Sequence, residues 1–132
     1  MADDELGITK ALAAFTFRLH QAGIYHMDYS MGNILCKKEG DDYQFSLIDN
    51  NRMRFGTFSF AQRLKNFRRL GFSNKQLVTV AREYSALEKT NDRETAQELF
   101  KYVRLHEERH IIKKRAKRFV ANAFDRPNHG IG

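Results

Sequence analysis

The chain of 132 residues is long enough for one domain with a buried core, and a hydrophobic content of 42% with eleven Phe excludes a disordered chain. A single Cys excludes an internal disulfide, which fits a protein of the reducing cytoplasm. The formal net charge of +7 favours an anionic partner: a nucleotide, a nucleic acid, a phosphorylated glycolipid or an acidic membrane surface. No apolar run reaches the roughly 18 residues of a membrane-spanning helix, and the acidic start Ala2-Asp3-Asp4-Glu5 is unlike a signal peptide.

Residues 4 to 22 predict an amphipathic helix that ends at Gly23. Apolar side chains recur there at steps of three and four residues, as on one face of a helix. They are Ile8, Ala11, Leu12, Phe15 and Leu19. Glycine supplies the stop because it tolerates the left-handed conformation that commonly ends a helix.

The segment from residue 19 to 56 contains three polar residues that stand beside or inside apolar runs. Asp28 and Asn33 are five positions apart, and with His26 they match the pattern H-x-D-x-x-x-x-N of the kinase catalytic loop. Asp49 follows an apolar pair at the end of a predicted strand. In phosphoryl transfer one carboxylate orients the attacking hydroxyl and accepts its proton, while a second carboxylate and an amide oxygen hold Mg²⁺. Asp28 suits the first role, Asn33 and Asp49 suit the second, and His26 is expected to hydrogen-bond nearby backbone.

A β-hairpin is predicted between the loop and Asp49. Its strands are residues 34–37 and 44–48, joined by the turn-rich Glu39-Gly40-Asp41-Asp42. Cys36 is expected in the first strand as a small buried side chain. This is the layout of a kinase C-terminal lobe. The alternative is an unrelated fold in which the three polar residues only cap a helix, form a turn and end a strand.

The rest of the chain predicts three helices. They span about residues 61–70, 74–88 and 92–124. Ser73 is a suitable N-cap for the second helix, and Asn91 with Glu94 makes a capping-box-like start to the third. The expected fold class is therefore α+β, mainly α, in a single domain over residues 1–132.

Three stretches of the sequence resemble the lipopolysaccharide kinases of the Kdo/WaaP family, bacterial relatives of protein kinases. They are GIYHMDYSMGNIL, FSLIDNNRMRFG and, more loosely, RLKNFRRLGF, within residues 12 to 72. The resemblance implies the C-terminal lobe of a protein-kinase-like fold, in which helices and a small β-hairpin carry the catalytic loop. It implies an ATP-dependent kinase that phosphorylates a sugar hydroxyl, of Kdo or heptose, in the lipopolysaccharide inner core. By this resemblance Asp28 is the catalytic base with His26 as its scaffold, and Asn33 and Asp49 bind Mg²⁺ on the nucleotide.

The chain departs from protein kinases at three places near these residues. Met27 replaces the Arg of H-R-D, Ser30 stands where Ser/Thr kinases place a Lys, and Asn50-Asn51 replace the Phe-Gly of D-F-G. These departures favour a small-molecule or glycolipid acceptor over a protein. Ser30 and Arg52 are the residues that we expect to contact the acceptor.

The nucleotide clamp of a kinase is not found in this sequence. No G-x-G-x-x-G loop occurs in it, and the resemblance covers no strand lysine or helix glutamate for the α- and β-phosphates. We therefore expect a C-lobe only, with the N-terminal lobe of the same enzyme as its missing partner. On its own the chain should bind ATP weakly and be close to inactive.

Two groups of basic residues predict anionic ligands or partners. One follows Asp49 closely and either binds phosphate or carboxylate groups of the acceptor or forms a solvated helix face. It consists of Arg52, Arg54, Arg63, Lys65, Arg68 and Arg69. The other, Lys113 to Arg118, is either a peripheral anchor on the anionic inner membrane or an ordinary solvated helix end. We expect a lipid-linked sugar acceptor at the cytoplasmic face and no nucleic acid.

Two other functions fit the same residues. One is a kinase-fold phosphotransferase for another small hydroxyl compound, such as an aminoglycoside-like molecule or a choline-like alcohol. The other is a non-catalytic basic helical module that binds nucleic acid or membrane. His106 and His110 match H-E-x-x-H, but their charged neighbours, and His129 as the only third ligand, disfavour a zinc site.

Overall fold

The computed structural model describes residues 4–125, which form four helices and two small antiparallel sheets. The helices are α1 Glu5–Gln21, α2 Phe60–Lys65, α3 Asn74–Glu88 and α4 Asp92–Asp125. The strands are β1 Ile24–His26, β2 Ile34–Glu39, β3 Asp42–Leu47 and β4 Met53–Phe55. This mainly helical arrangement is compatible with the expected α+β class.

The two sheets each contain two strands. The predicted hairpin is confirmed as β2 and β3, which pair from Ile34 opposite Leu47 to Glu39 opposite Asp42. The second sheet, β1 with β4, was not predicted; it sets His26 opposite Met53. Since β1 precedes the hairpin and β4 follows it, this pairing brings the two ends of the hairpin segment back together.

Helix α1 buries a different face from the one that its apolar spacing predicts. The fully buried side chains are Thr9, Leu12, Ala13, Thr16, Phe17 and His20. Phe15 and Leu19 of the predicted face are only partly buried and pack at the edge of the core. The difference arises because the buried polar side chains have partners outside the helix: Thr16 Oγ1 hydrogen-bonds with the Tyr29 hydroxyl at 2.5 Å, for example.

Helix α2 ends earlier than predicted, at Lys65, and the chain continues to Leu70 in tight turns. Backbone N–H groups there bond to the carbonyl three residues before, as in the bond from Phe67 to Leu64. Three residues per turn place Leu64, Phe67 and Leu70 on one side, and all three are buried. Core packing therefore favours the tighter winding over a regular α-helix.

Helices α3 and α4 begin at the caps that the sequence predicts. Ser73 Oγ accepts from the Gln76 N–H, and the Gln76 side chain accepts from the Ser73 N–H in return. Asn91 Oδ1 accepts from the Glu94 N–H at 3.0 Å. Helix α3 then packs against both α1 and α4, with Tyr84 fully buried at the centre.

The expected burial of Cys36 is wrong, because this thiol is exposed. Of the β2 residues only Ile34 is buried, whereas in β3 the side chains of Tyr43, Phe45 and Leu47 are half-buried. Phe45 contacts Phe15 of α1 with ring centroids 5.4 Å apart. The hairpin therefore meets the core through β3, and β2 lies on the outside.

The long helix α4 packs on the core only in its first half. Leu99 and Tyr102 are buried, but every residue from 107 to 123 is exposed. That outer half includes Ile112, Phe119 and Val120. Among residues 4–125 no helix is both long and apolar enough to cross a membrane.

A buried polar network centred on His20 joins α1, α2 and α3. His20 Nε2–H donates to Asn66 Oδ1 at 2.9 Å, and His20 Nδ1 accepts from the Tyr84 hydroxyl at 2.8 Å. Arg63 donates to the same hydroxyl at 3.1 Å and to both carboxylate oxygens of Glu88, at 2.7 and 2.9 Å. The neutral form of His20 makes both of its own bonds, one as donor and one as acceptor. Burial accordingly lowers the pKa of His20 from 6.5 to about 4, against the opposing effect of the Asn66 hydrogen bond.

This network predicts a loss of stability in mild acid. Between pH 6.5 and about 4 the unfolded chain protonates His20 while the folded chain does not, so the free energy of unfolding falls as pH is lowered through this window. The full effect is at most about 3 kcal/mol. Urea unfolding of the natural chain and of a His20→Gln variant, at pH 7 and pH 5, measures it. The variant is expected to lose less stability on acidification, and equal losses would contradict the assignment.

Candidate active site

The loop after β1 and the segment after β3 lie side by side because backbone hydrogen bonds tie them together. The Met27 N–H donates to the Arg52 carbonyl at 2.7 Å. The Ile48 N–H donates to the Asn33 carbonyl at 3.0 Å. These bonds set Asp28, Asn33 and Asp49 at the same end of the two sheets, although 21 residues separate the first from the last.

His26 connects these two segments through its side chain. The ring is 1% exposed; Nε2–H donates to the Ile48 carbonyl at 2.9 Å, and Nδ1 accepts from the Asp28 N–H at 3.0 Å. One neutral tautomer satisfies both bonds, so neither nitrogen is left to move a proton. The prediction that His26 hydrogen-bonds nearby backbone is confirmed.

Asn33 and Asp28 are in direct contact. Asn33 Nδ2 donates to the Asp28 carbonyl at 2.8 Å and to Asp28 Oδ2 at 3.1 Å. Both donors of the amide are used in this way, which fixes its orientation and leaves Oδ1 as an acceptor directed elsewhere. An amide oxygen is a hard ligand of the kind that Mg²⁺ prefers.

Asp49 presents its carboxylate from a left-handed backbone, with φ of 63° and ψ of 61°. Asp tolerates this region better than most residues. A short 3₁₀ turn follows, in which the Arg52 N–H donates to the Asp49 carbonyl at 3.1 Å. The side chain is exposed, and its closest cation is Arg52 Nε at 3.8 Å. Asp49 and Asn33 Oδ1 therefore offer two hard oxygens from neighbouring segments, a donor set that would fit Mg²⁺.

The sequence predicted Arg69 only as one of six basic residues after Asp49, and its place beside Asp28 was missed. Its Nη1 lies 3.4 Å from Asp28 Oδ1, across 41 positions of sequence. Asp28 therefore has a different neighbour at each oxygen: Asn33 at Oδ2 and Arg69 at Oδ1. Asn66 was also missed; Nδ2 donates to the His26 carbonyl at 2.9 Å from the buried turn that follows α2. The one signal in the sequence that could have identified Asn66 is its position between the apolar residues Leu64 and Phe67.

The residues expected to contact an acceptor lie at different places in the fold. Arg52 is exposed beside Asp49. Ser30 is half-buried, and its carbonyl accepts from the Asn33 N–H at 3.0 Å. Arg63 is instead a structural residue, because it forms the two-pronged pair with Glu88 inside the fold. The hydrogen bonds from Arg63 lower the pKa of the Glu88 carboxyl against the opposing effect of burial, and the charge of Arg63 adds to this lowering.

The H-E-x-x-H histidines stack on each other, with ring centroids of His106 and His110 6.4 Å apart. Within residues 4–125 no group of three His, Cys, Asp or Glu side chains is placed to hold a metal ion. His129 lies outside the described residues.

A family model described as "Lipopolysaccharide kinase (Kdo/WaaP) family" matches residues 5–90. The chain belongs to this family. The match runs from α1 to just past α3 and includes all three candidate residues, whereas α4 lies beyond it. Membership in a kinase family makes the general chemistry phosphoryl transfer, which uses ATP and usually a divalent metal. No curated protein matches the chain, and no solved structure matches it either.

Two substitutions at Asp49 test its left-handed backbone conformation. Both remove the carboxylate, and they differ in how well the new residue tolerates positive φ. Asp49→Ala is expected to lower the free energy of unfolding by about 1 kcal/mol, because Ala is strained in the left-handed region. Asp49→Gly is expected to leave it unchanged or raise it by up to about 1 kcal/mol. Urea unfolding measures both, and equal stability of the two variants would contradict the observed conformation.

Proposed function

We propose that the chain is the C-terminal lobe of a protein-kinase-like enzyme that transfers the γ-phosphoryl group of ATP to a sugar hydroxyl of the lipopolysaccharide inner core, on Kdo or heptose. The observation that carries the proposal is the bonded pair Asp28–Asn33 beside Asp49, on two segments joined by His26. The family match supports a lipopolysaccharide acceptor in general. The choice between the two sugars belongs to the proposal.

In this mechanism Asp28 orients the acceptor hydroxyl and takes its proton as the oxygen attacks phosphorus and the bond to ADP breaks. Asn33 holds one carboxylate oxygen of Asp28 and so fixes the direction of the other. Asn33 Oδ1 and Asp49 would hold Mg²⁺, which when bound neutralises charge on the nucleotide phosphates. His26 keeps the two segments in register and transfers no proton.

We propose that a nucleotide-covering lobe comes from residues outside this sequence. The 132 residues contain no G-x-G-x-x-G, and the candidate site supplies a base and metal ligands but no glycine-rich phosphate cover. This chain alone is then expected to turn over negligibly. A kinase for another small hydroxyl compound is the rival within the same chemistry, and profiling of acceptors separates the two.

Asp28→Asn tests the catalytic assignment. The substitution keeps the size of the side chain but removes the proton acceptor, so transfer of labelled γ-phosphate to an inner-core acceptor by the complete enzyme is expected to fall about 10²- to 10⁴-fold. The matched control is Asp41→Asn, which removes an exposed carboxylate at the hairpin turn and is expected to change nothing. Full activity in the Asp28 variant would remove the assignment.

We further propose that the outer half of α4 rests on the anionic cytoplasmic face of the inner membrane, where a lipid-linked acceptor is found. Ile112, Ala116 and Phe119 follow one another at four- and three-residue steps on one side of this helix. Ile112 is 64% exposed and Phe119 is 75% exposed. The basic run Lys113 to Arg118 adjoins them, as in helices that lie in a membrane interface.

Sedimentation with vesicles tests this contact. Binding is expected to require phosphatidylglycerol in a phosphatidylcholine vesicle, and Phe119→Ser is expected to weaken it about fivefold because the apolar anchor is lost. Leu35→Ser is the control, since Leu35 is an exposed apolar residue on the hairpin at 56% exposure. Equal binding to neutral vesicles, or equal weakening by both substitutions, would contradict the proposal.

A further inference from the structure

A concave basic cleft of about 360 Å³ lies between α4 and the turns that follow α2. Three basic residues line it from the α2 side and three from α4: Lys65, Arg68 and Arg69, then Lys101, Arg109 and Lys113. No acidic side chain lines it. The two halves are distant in sequence, so the cleft exists only in the folded chain. Its volume is that of a small-molecule site.

We propose that this cleft is a binding site for a phosphomonoester or carboxylate group carried by the acceptor, so that the enzyme selects acceptors that are already anionic before it phosphorylates them. The proposal rests on the proposed function and adds to it a specificity site. The reaction that supplies the substrate must then be one that leaves such an anionic group on the sugar.

The charge in the cleft is largely uncompensated. Within residues 4–125, Lys101 pairs with Glu98 at 3.8 Å and Arg69 pairs with Asp28 at 3.4 Å, while the other four basic residues make no ion pair. Like charges that face each other across a concave surface raise its potential and attract an anion. A bound anion would therefore supply the negative charge that the fold does not place in the cleft.

The inner wall of the cleft contains a buried aromatic ring. Tyr102 is 8% exposed, and the ammonium groups of Lys65 and Lys101 lie over its ring, 5.2 and 5.5 Å from the centroid. These cation–π contacts favour one placement of two flexible side chains. An anion then meets donors that are already positioned, which reduces the ordering cost of binding.

The cleft adjoins the catalytic carboxylate through Arg69. Arg69 both lines the cleft and contacts Asp28 Oδ1, whereas Asn33 and its free oxygen are at Oδ2. The proposed metal and nucleotide are thus on the Asn33 side of Asp28, and the cleft is on the other. An acceptor whose hydroxyl reaches Asp28 would extend towards the cleft, where its own anionic group meets the basic residues.

His106 reports occupancy of the cleft. This half-buried ring has its pKa lowered by burial first, then by Arg69 and Arg68 across the cleft and by His110 on its own helix, with Glu107 opposing. A bound anion would offset the nearby positive charge. The pKa of His106, followed by NMR, is therefore expected to rise when an anionic ligand is added.

The experiment is a calorimetric titration of the purified chain with glucose 6-phosphate, with glucose and inorganic phosphate as the comparison ligands. Glucose 6-phosphate is expected to bind at least about tenfold more tightly than either, because the site takes an anion attached to a sugar. Arg109→Gln and Arg68→Gln, from opposite walls, are each expected to weaken it about tenfold. The matched control is Arg104→Gln, an exposed arginine of the same helix that does not line the cleft, which is expected to change binding less than twofold.

Several results would overturn the proposal. Equal weakening by Arg104→Gln would indicate general attraction to a basic chain, and equally tight inorganic phosphate would indicate a free-phosphate site. A single-stranded oligonucleotide that alone binds in an Arg109-dependent way would indicate a nucleic acid surface. Asp28→Asn is expected to lower transfer about 10²- to 10⁴-fold yet retain glucose 6-phosphate binding. Failure of the proposed function would therefore appear in the transfer assay, and failure of the cleft proposal would appear in the binding assay.

Discussion

The site depends on one buried imidazole. His26 donates to the backbone after β3 and accepts from the backbone of Asp28, so a single ring holds the loop and the hairpin end in register. Loss of either bond would leave a partly buried backbone group without its partner, at a cost of at most about 1–3 kcal/mol each. A second polar side chain supports the ring's own strand, because Asn66 donates to the His26 carbonyl. The geometry of the three candidate side chains is thus set by backbone contacts and by residues with no proposed part in the chemistry.

A second polar layer lies behind the first. Asn66 also accepts from His20, and His20 is joined through Tyr84 to the Arg63–Glu88 pair. Within residues 4–125 no buried side-chain nitrogen or oxygen lacks a hydrogen-bond partner. Fully satisfied networks of this kind define one arrangement of the elements, whereas a partly satisfied network would destabilise the core. The segment that carries Asp28 is therefore supported by α1, α2 and α3 together.

The sequence predicted local features well and long-range ones poorly. The bounds of α3 and its Ser73 cap follow from capping chemistry within four residues, so they could be found without the fold. The buried face of α1 could not, because it includes Thr16 and His20, whose partners are distant in sequence. The exposure of Cys36 depends on which strand of the hairpin meets the core. The contact of Arg69 with Asp28 and the cleft beside α4 likewise exist only in the tertiary structure. In the sequence, Arg69 was only one member of a basic group.

The central claim is that Asn33 and Asp49 form one metal site beside Asp28, and it can be tested on this chain without turnover. A titration with Mn²⁺, followed by paramagnetic broadening in nitrogen–proton NMR spectra, locates the bound ion directly. The account predicts that the backbone amides of Asn33 and Asp49 and the side-chain amide of Asn33 broaden first, and that Mg²⁺ in excess restores them. First broadening at the acidic hairpin turn, Asp41 and Asp42, with no effect at Asn33 or Asp49, would contradict it.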